Sequence, residues 1–199
     1  MLWLEQVTLQ GDYCILKPLL LEHHDALVEA VKDGDVWNLH YAMVPKPQDM
    51  KKEINRRLEL QAKGLMLPFV VIHKETQKII GMTCYCQIDA PNRRLDIGFT
   101  WYAKSYQKTA VNTDCKYLLL TYAFEKLNVI AVGFRVDYLN RPSQKAVERI
   151  GAKLEGLIRN YAIMPNGTIR DMYFYSILPH EWPRIKSHLE ALHIMRPHP

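Results

Sequence analysis

The residues able to do chemistry gather in the middle of the chain. In RRLDIGFTWYA, Asp96, Gly98, Thr100 and Tyr102 alternate with Leu95, Ile97, Phe99 and Trp101. On a strand such alternate positions face opposite ways. Leu95, Ile97, Phe99 and Trp101 read as core, so the other face carries a carboxylate, a gap and a hydroxyl. A carboxylate there is costly unless it is paired, hydrated or used. Gly98 lets a ligand or a backbone approach closely. The chain then enters SYQKTAVNTDCKYLLL, Ser105 to Leu120, where a polar loop with small Thr109 and Ala110 runs into an apolar helix. The first amides of a helix have no carbonyl partner and carry partial positive charge. A phosphate placed there gains several hydrogen bonds at once. Asn112 can cap the helix or bond the ligand. Lys104, Lys108 and Lys116 add positive potential, and Asp114 opposes it. An ordinary capped turn is the competing reading, and the loop alone does not separate the two.

Four cysteines, Cys14, Cys84, Cys86 and Cys115, form no C-x-x-C pair. Cys84 and Cys86 alternate on a strand and share a face as small core residues. No histidine stands at zinc-ligand spacing, so no metal is expected. Free thiols fit a reducing compartment, and MLWLEQV lacks the layout of a signal peptide. A cytoplasmic protein is expected. The longest apolar run is too short to cross a bilayer. Net charge is +5, with Lys and Arg scattered. That suits an anionic ligand without pointing to nucleic acid.

The elements that must position these residues follow from periodicity. VTLQGDYCILKPL reads as a hairpin around Gly11-Asp12. A helix from His23 to about Val31 breaks at Asp33-Gly34, and QDMKKEINRRLELQAKG is a second helix closed by Gly64. Two strands flank a turn near Glu75-Thr76, and the Leu95–Tyr102 strand follows. After the mid-chain helix come the strand VIAVGFRVDYL and a helix begun by Asn140 and Pro142 and closed by Gly151. A hairpin with Asn166-Gly167 at its tip and a short final helix complete the chain. This order predicts an α/β (α+β) fold with a mixed central sheet and helices on both faces. One domain over residues 1–199 is expected, with its core at about 13–182.

Taken in order, these segments resemble the GCN5-related N-acetyltransferase (GNAT) superfamily, in its ribosomal-protein N-acetyltransferase-like (RimJ/RimL-type) branch. DIGFTWYAKSYQ resembles the family's strand-to-loop segment, with Asp96 where Glu is common. Gln107, Lys108, Thr109, Ala110, Val111 and Asn112 match the Q/R-x-x-G-x-G/A loop, with Ala110 and Asn112 in place of its glycines. In NRPSQKAVERIGAKLEG, Asn140, Ser143, Ala146 and Gly151 match the N-x-x-S-x-x-A-x-x-x-x-G helix. GTIRDMYFYSIL looks like the closing hairpin strand.

The resemblance implies a splayed central strand pair, Leu95–Tyr102 and Val129–Tyr138, with the pantetheine of acetyl-CoA between them. It also implies main-chain contacts from Phe99, Thr100 and Trp101. Residues 107–112 with Thr113 would hold the pyrophosphate, Asn140 the pantetheine arm, and Ser143 would lie near the thioester sulfur. The implied reaction is acetyl transfer from acetyl-CoA to a primary amine by direct attack in a ternary complex. Asp96 is the candidate base, through a water; the alternative is a salt bridge to Arg93, Arg94 or Arg135. Ser143 is the candidate acid, because Val147 fills the position where the family often has tyrosine.

An α-amine titrates near ~8 and a lysine side chain near ~10.4, so a weak base favours a peptide N-terminus. Small-molecule amines stay open. Trp37, Tyr41 and Tyr85 are candidate acceptor contacts, and the basic helix either borders the acceptor or is a solvated face. Tyr85, Tyr173 and Tyr175 read as core or wall rather than as catalysts. Two rivals remain: a non-catalytic acyl-CoA-binding module, and an enzyme for longer acyl groups with Met82 and Cys84 lining a pocket. A homodimer fits the branch.

Overall fold

The computed structural model describes residues 3–38, 43–164 and 166–194. A short ribbon, β1 (Leu9–Gln10) and β2 (Cys14–Pro18), leads to α1 (His24–Lys32) and α2 (Met50–Ala62). There follow β3 (Met66–His73), β4 (Ile79–Asp89), β5 (Arg94–Tyr102), α3 (Val111–Thr121), β6 (Ala131–Asp137) and α4 (Arg141–Arg149). β7 (Lys153–Ile163), β8 (Ile169–Ile177) and α5 (Trp182–Ile194) complete the described chain. The order of elements is the one periodicity predicts. Local chemistry sets the boundaries. Gly64, at φ +70°, closes α2, and the Leu65 N–H reaches back to the Leu60 carbonyl at 2.9 Å. Gly64 N–H also donates to Gln61, which completes a helix stop that needs a left-handed residue.

All eight strands form one sheet in the order β1-β2-β3-β4-β5-β6-β8-β7. Neighbours are antiparallel except β5 and β6, which run parallel. On one face α3, α4 and α5 pack Val111, Cys115, Leu119, Val147, Trp182 and Leu189 against Tyr85, Leu95, Ile97, Val132 and Phe134. On the other, α1 and α2 pack Leu27, Val31, Met50 and Ile54 against Val70, Met82 and Trp101.

One expectation about β5 is overturned. Leu95 and Ile97 belong to the α3 face, but Trp101 joins the α1/α2 core and Phe99 packs on Met66, Cys84 and Cys86. The cause is a bulge. Register steps from Met82 opposite Trp101 to Cys84 opposite Gly98, so Phe99 and Thr100 together face Thr83. Phe99 takes φ 48°. An extra residue shifts the phase of a period-two pattern and sends later side chains to the opposite face.

The ribbon is fastened to α3 by a buried carboxylate. Asp114 is 1% exposed and accepts from the amides of Tyr13 at 2.8 Å, Cys14 at 2.9 Å and Asp12 at 3.4 Å. A β-carbon on Gly11 would lie 2.3 Å from that carboxylate, so only glycine fits there. Asp114→Ala should strand these amides and lower the unfolding free energy by about 3 kcal/mol. A urea titration with a reduced midpoint and unchanged slope would show it.

Candidate functional site

Hydrogen-bond register defines the site. Parallel pairing between β5 and β6 covers Arg94 with Ala131, Leu95 with Val132 and Asp96 with Gly133, and ends there. β5 continues to Tyr102 and β6 to Asp137, so the strands part beyond Asp96. The amide and carbonyl edges of the parted segments are available to an extended ligand. α3 begins beside the far end of β5 and α4 just after β6. Arg149 of α4 joins the two helices by donating to Thr113 Oγ1 at 2.9 Å.

The start of α3 has neither hydroxyl nor carboxylate at its N-cap, which is Ala110 in a helical conformation with no side-chain cap. Thr109 Oγ1 accepts from Val111 N–H at 3.3 Å. The first-turn amides of Asn112 and Thr113 lie where a helix offers no carbonyl. Lys108, at φ 62°, turns the chain into the helix, while the Gln107 side chain donates to the Tyr102 carbonyl at 3.0 Å and braces the loop. Ala110 sits at φ −68°, which any residue adopts, so glycine is not needed. Asn112 does not cap the helix; its Oδ1 accepts from the Tyr102 hydroxyl at 3.2 Å, which turns its bulk inward.

Two charges near the loop behave differently from expectation. Asp114 is engaged by the three ribbon amides, which offset its opposition to an anion. Lys116 is 6% exposed, and its Nζ donates to Thr100 Oγ1 at 3.1 Å beneath the sheet. Burial pushes its ammonium below the usual lysine range. It therefore braces the bulge rather than adding to surface potential.

At the point of parting, Asp96 faces Arg135, with Nε 2.7 Å from Oδ2. The salt-bridge alternative is thus present, with Arg135 as partner. Gly133 is required below, because a β-carbon there would lie 2.2 Å from Asp96 Oδ1. Burial raises the Asp96 carboxyl above the usual aspartate range, against the pull of Arg135 and Arg94. Arg135 also donates to the Tyr161 hydroxyl and lies over the Phe174 ring at 5.0 Å.

Above the bulge stands α2. Arg57 is fully buried; it donates from Nε to Glu53 at 2.7 Å and from Nη2 to the Phe99 carbonyl at 3.1 Å. Arg56 bonds Glu53 through Nε and Nη2 at 2.7 and 2.8 Å and lies 5.3 Å over the Phe99 ring. Lys51 and Lys52 face solvent, so the helix is solvated on one side and basic toward the site on the other.

The other predicted residues fall as follows. Asn140 caps α4, its Oδ1 accepting from Ser143 N–H at 3.1 Å. The Ser143 side chain stands on the first turn of α4, half-buried. Phe99 already gives its carbonyl to Arg57, and the Thr100 and Trp101 side chains are engaged or buried, which leaves main chain as what this stretch could offer a ligand. Tyr85 is not an acceptor contact: it is fully buried on the α3 face and donates to the Leu119 carbonyl at 2.5 Å. Tyr173 and Tyr175 lie on that same face. Trp37 packs against the α1/α2 core, and Tyr41 lies outside the described residues. All four cysteines are buried and reduced. Among the described residues no group of three His, Cys, Asp or Glu could hold a metal, and no helix is long and apolar enough to cross a membrane.

Sequence reasoning missed the inward pair Arg57–Glu53 and the part played by Tyr161. A signal for Arg135 existed: GFRVD puts Gly133, Arg135 and Asp137 on one face by alternation. Lys116 likewise stacks one turn beyond inward Asn112.

Residues 14–153 match the family described as Acetyltransferase (GNAT) domain. p20 of Bacillus licheniformis, an N-acetyltransferase by name, is 29% identical over 183 residues, spanning 88% of this chain and 98% of its own. YdaF of Bacillus subtilis (strain 168), provisionally named a ribosomal N-acetyltransferase, is 35% identical over 104 residues, 52% of this chain and 56% of its own. The structure of Mycobacterium smegmatis RimJ in complex with CoA-disulfide shares the fold at TM-score 0.76 and 20% identity, covering 94% of this chain and 93% of that one.

Because Arg135 opposes the effect of burial, Arg135→Met should raise the Asp96 carboxyl further. A raised folded-state value means that the stabilisation from Asp96 is full below the unfolded value and is lost as pH rises through the folded one. The variant should move that loss to higher pH, seen as a shifted Asp96 carbonyl titration by carbon-13 NMR.

Proposed function

Since the chain belongs to the GNAT acetyltransferase family and is an N-acetyltransferase, we propose that it takes acetyl-CoA as acyl donor and a primary amine, with a protein N-terminal α-amine favoured, as acceptor. The observation that carries this reading is the end of β5–β6 pairing at Asp96 and Gly133, beside a helix start whose N-cap residue, Ala110, has no capping side chain. Pantetheine lies along the parted edges of β5 and β6, bonding main chain at residues 99–101. The pyrophosphate sits on the amides of the loop and first turn of α3, over residues 107–113. Asn140, whose Oδ1 is taken by its cap, offers its amide nitrogen to the pantetheine arm.

In this reading the neutral amine nitrogen attacks the thioester carbon and forms the new C–N bond. The C–S bond breaks and CoA leaves as the thiolate. Asp96 accepts the amine proton through a water at Oδ1, since Oδ2 is held by Arg135. A carboxylate whose affinity for protons is raised by burial suits that task. The Ser143 hydroxyl is the group on α4 assigned to return a proton to sulfur. No covalent enzyme intermediate is involved, in keeping with four buried thiols.

Acetyl-CoA at about a hundred times its Kd should stabilise the fold by about 2.7 kcal/mol, read as a raised melting temperature. Thiol release should then appear with peptide α-amines. Asp96→Asn should slow turnover about a hundredfold while weakening acetyl-CoA binding little. Absence of any thermal shift would remove the CoA reading. A shift with no thiol release across peptides and amines would leave a non-catalytic binding module.

A further inference from the structure

The bulge changes which residues of β5 turn their main chain toward β6. Ahead of it the Arg93 carbonyl accepts from Ile130 N–H at 2.9 Å, so by alternation residues 93, 95 and 97 face β6. Past it Ala103 N–H donates to the Ile80 carbonyl at 2.7 Å. Residues 101 and 103 therefore face β4, and Thr100 and Tyr102 face β6. The phase changes at Phe99, the left-handed residue at φ 48°. Without the extra residue the odd phase would run on, and residues 97, 99 and 101 would stay in line with β6. On β6, Tyr138 N–H donates to the Asp171 carbonyl at 3.1 Å, so the amides of Arg135 and Asp137 point the other way, to β5. A regular β5 would meet them and continue the ladder that now stops at Asp96 and Gly133.

A buried cation holds Phe99 in that conformation. The Phe99 carbonyl accepts from Arg57 Nη2 at 3.1 Å and is thereby turned toward α2. Arg57 has no exposed surface, and its Nε donates to Glu53 at 2.7 Å. Its Nη1 is buried with no hydrogen-bond partner among the described residues, as is Gln61 Oε1 one turn further along α2. A guanidinium taken fully out of water with one donor unspent is a poor source of net stability, and an apolar side chain of its volume would serve as well. What the arrangement does is select a conformation. A bulky residue at positive φ is costly, and so is a buried carbonyl without a donor. Thr100 is held differently. Lys116 reaches its hydroxyl, which also bonds Thr83 Oγ1 at 2.8 Å, and neither bond touches the Thr100 main chain.

We infer that Arg57 is the positioning residue of the donor site. By holding the Phe99 carbonyl toward α2 it keeps the bulge, and the bulge keeps β5 and β6 apart where the pantetheine is placed. The inference rests on the acetyl-CoA reading and adds to it a residue that acts through Phe99 and touches neither donor nor acceptor. Arg57 can be removed without stranding its carboxylate, because Arg56 bonds both oxygens of Glu53.

The test separates affinity from stability. Acetyl-CoA binding is measured by calorimetry and folding by thermal melting. The chains compared are the wild type, Arg57→Met, and Arg57→Met combined with Phe99→Gly. Arg57→Met should weaken acetyl-CoA binding about tenfold. In the same variant, without ligand, the Arg135 amide should gain protection from hydrogen exchange as the strands pair. Phe99→Gly on that background should recover most of the lost affinity, since glycine adopts positive φ at no steric cost. It should do so even though the lost packing lowers the melting temperature. A residue of merely structural value would lower the melting temperature and leave the dissociation constant and the Arg135 amide as they were. That result, or no recovery with glycine, would overturn the inference and leave the donor reading standing. Should Arg57→Met not fold, Arg57→Lys, which keeps the charge without the fork, takes its place in the same comparison. A wild-type chain that binds no acetyl-CoA would remove the donor reading, and the exchange of the Arg135 amide would still decide whether Arg57 holds the strands apart.

Discussion

The Arg57 guanidinium donates to the Phe99 carbonyl from one face of the sheet, while the Lys116 ammonium reaches Thr100 from the other. Between them lies the residue pair that β5 carries against the single Thr83 of β4. A left-handed Phe costs energy, and such a conformation persists only where its surroundings over-determine it. Here a buried, hydrogen-bonded cation on each side supplies that constraint. The bulge then bends β5 and takes it out of register with β6, and the gap between the strands follows from that bend.

The same bulge decides what lies on each side of the gap. Before it, Asp96 shares a face with Gly133 and Arg135; after it, Phe99 and Trp101 join that face under α2. Chemistry and helix packing thus occupy one surface, while the α3 face stays apolar and closed by Tyr85, Leu119 and Ile97. The carboxylate is largely buried, held by Arg135 at Oδ2 and packed on Gly133 at Oδ1. Burial raises its affinity for a proton, and Arg135 and Arg94 oppose that rise.

Much of this was readable from residue order. Glycines at positions 64 and 167, the cap Asn140 and the apolar runs of β3, β4 and β6 placed the elements, because each acts over a few neighbours. Asp96 stood out because a carboxylate among apolar residues needs a reason. The bulge at Phe99 was not readable. It depends on Arg57, 42 residues away, and on the register with β4, and neither leaves a mark in local periodicity. Tyr85 misled for a related reason. Its hydroxyl suggested a role in binding, but only the helix packed over it, with the Leu119 carbonyl in reach, shows that the group is already used. Asp114 looked like an opponent of anion binding until the ribbon supplied three amides.

That last arrangement makes the first strands part of the electrostatics of the proposed donor site. A shortened chain starting after Cys14 would still encode the sheet centre, α3 and the loop before it. Yet it would release a bare negative charge one helical turn from the proposed phosphate position, where anions otherwise find a favourable field. Trimming the first strands is therefore a change to the field at the head of α3, and not only to the edge of the sheet.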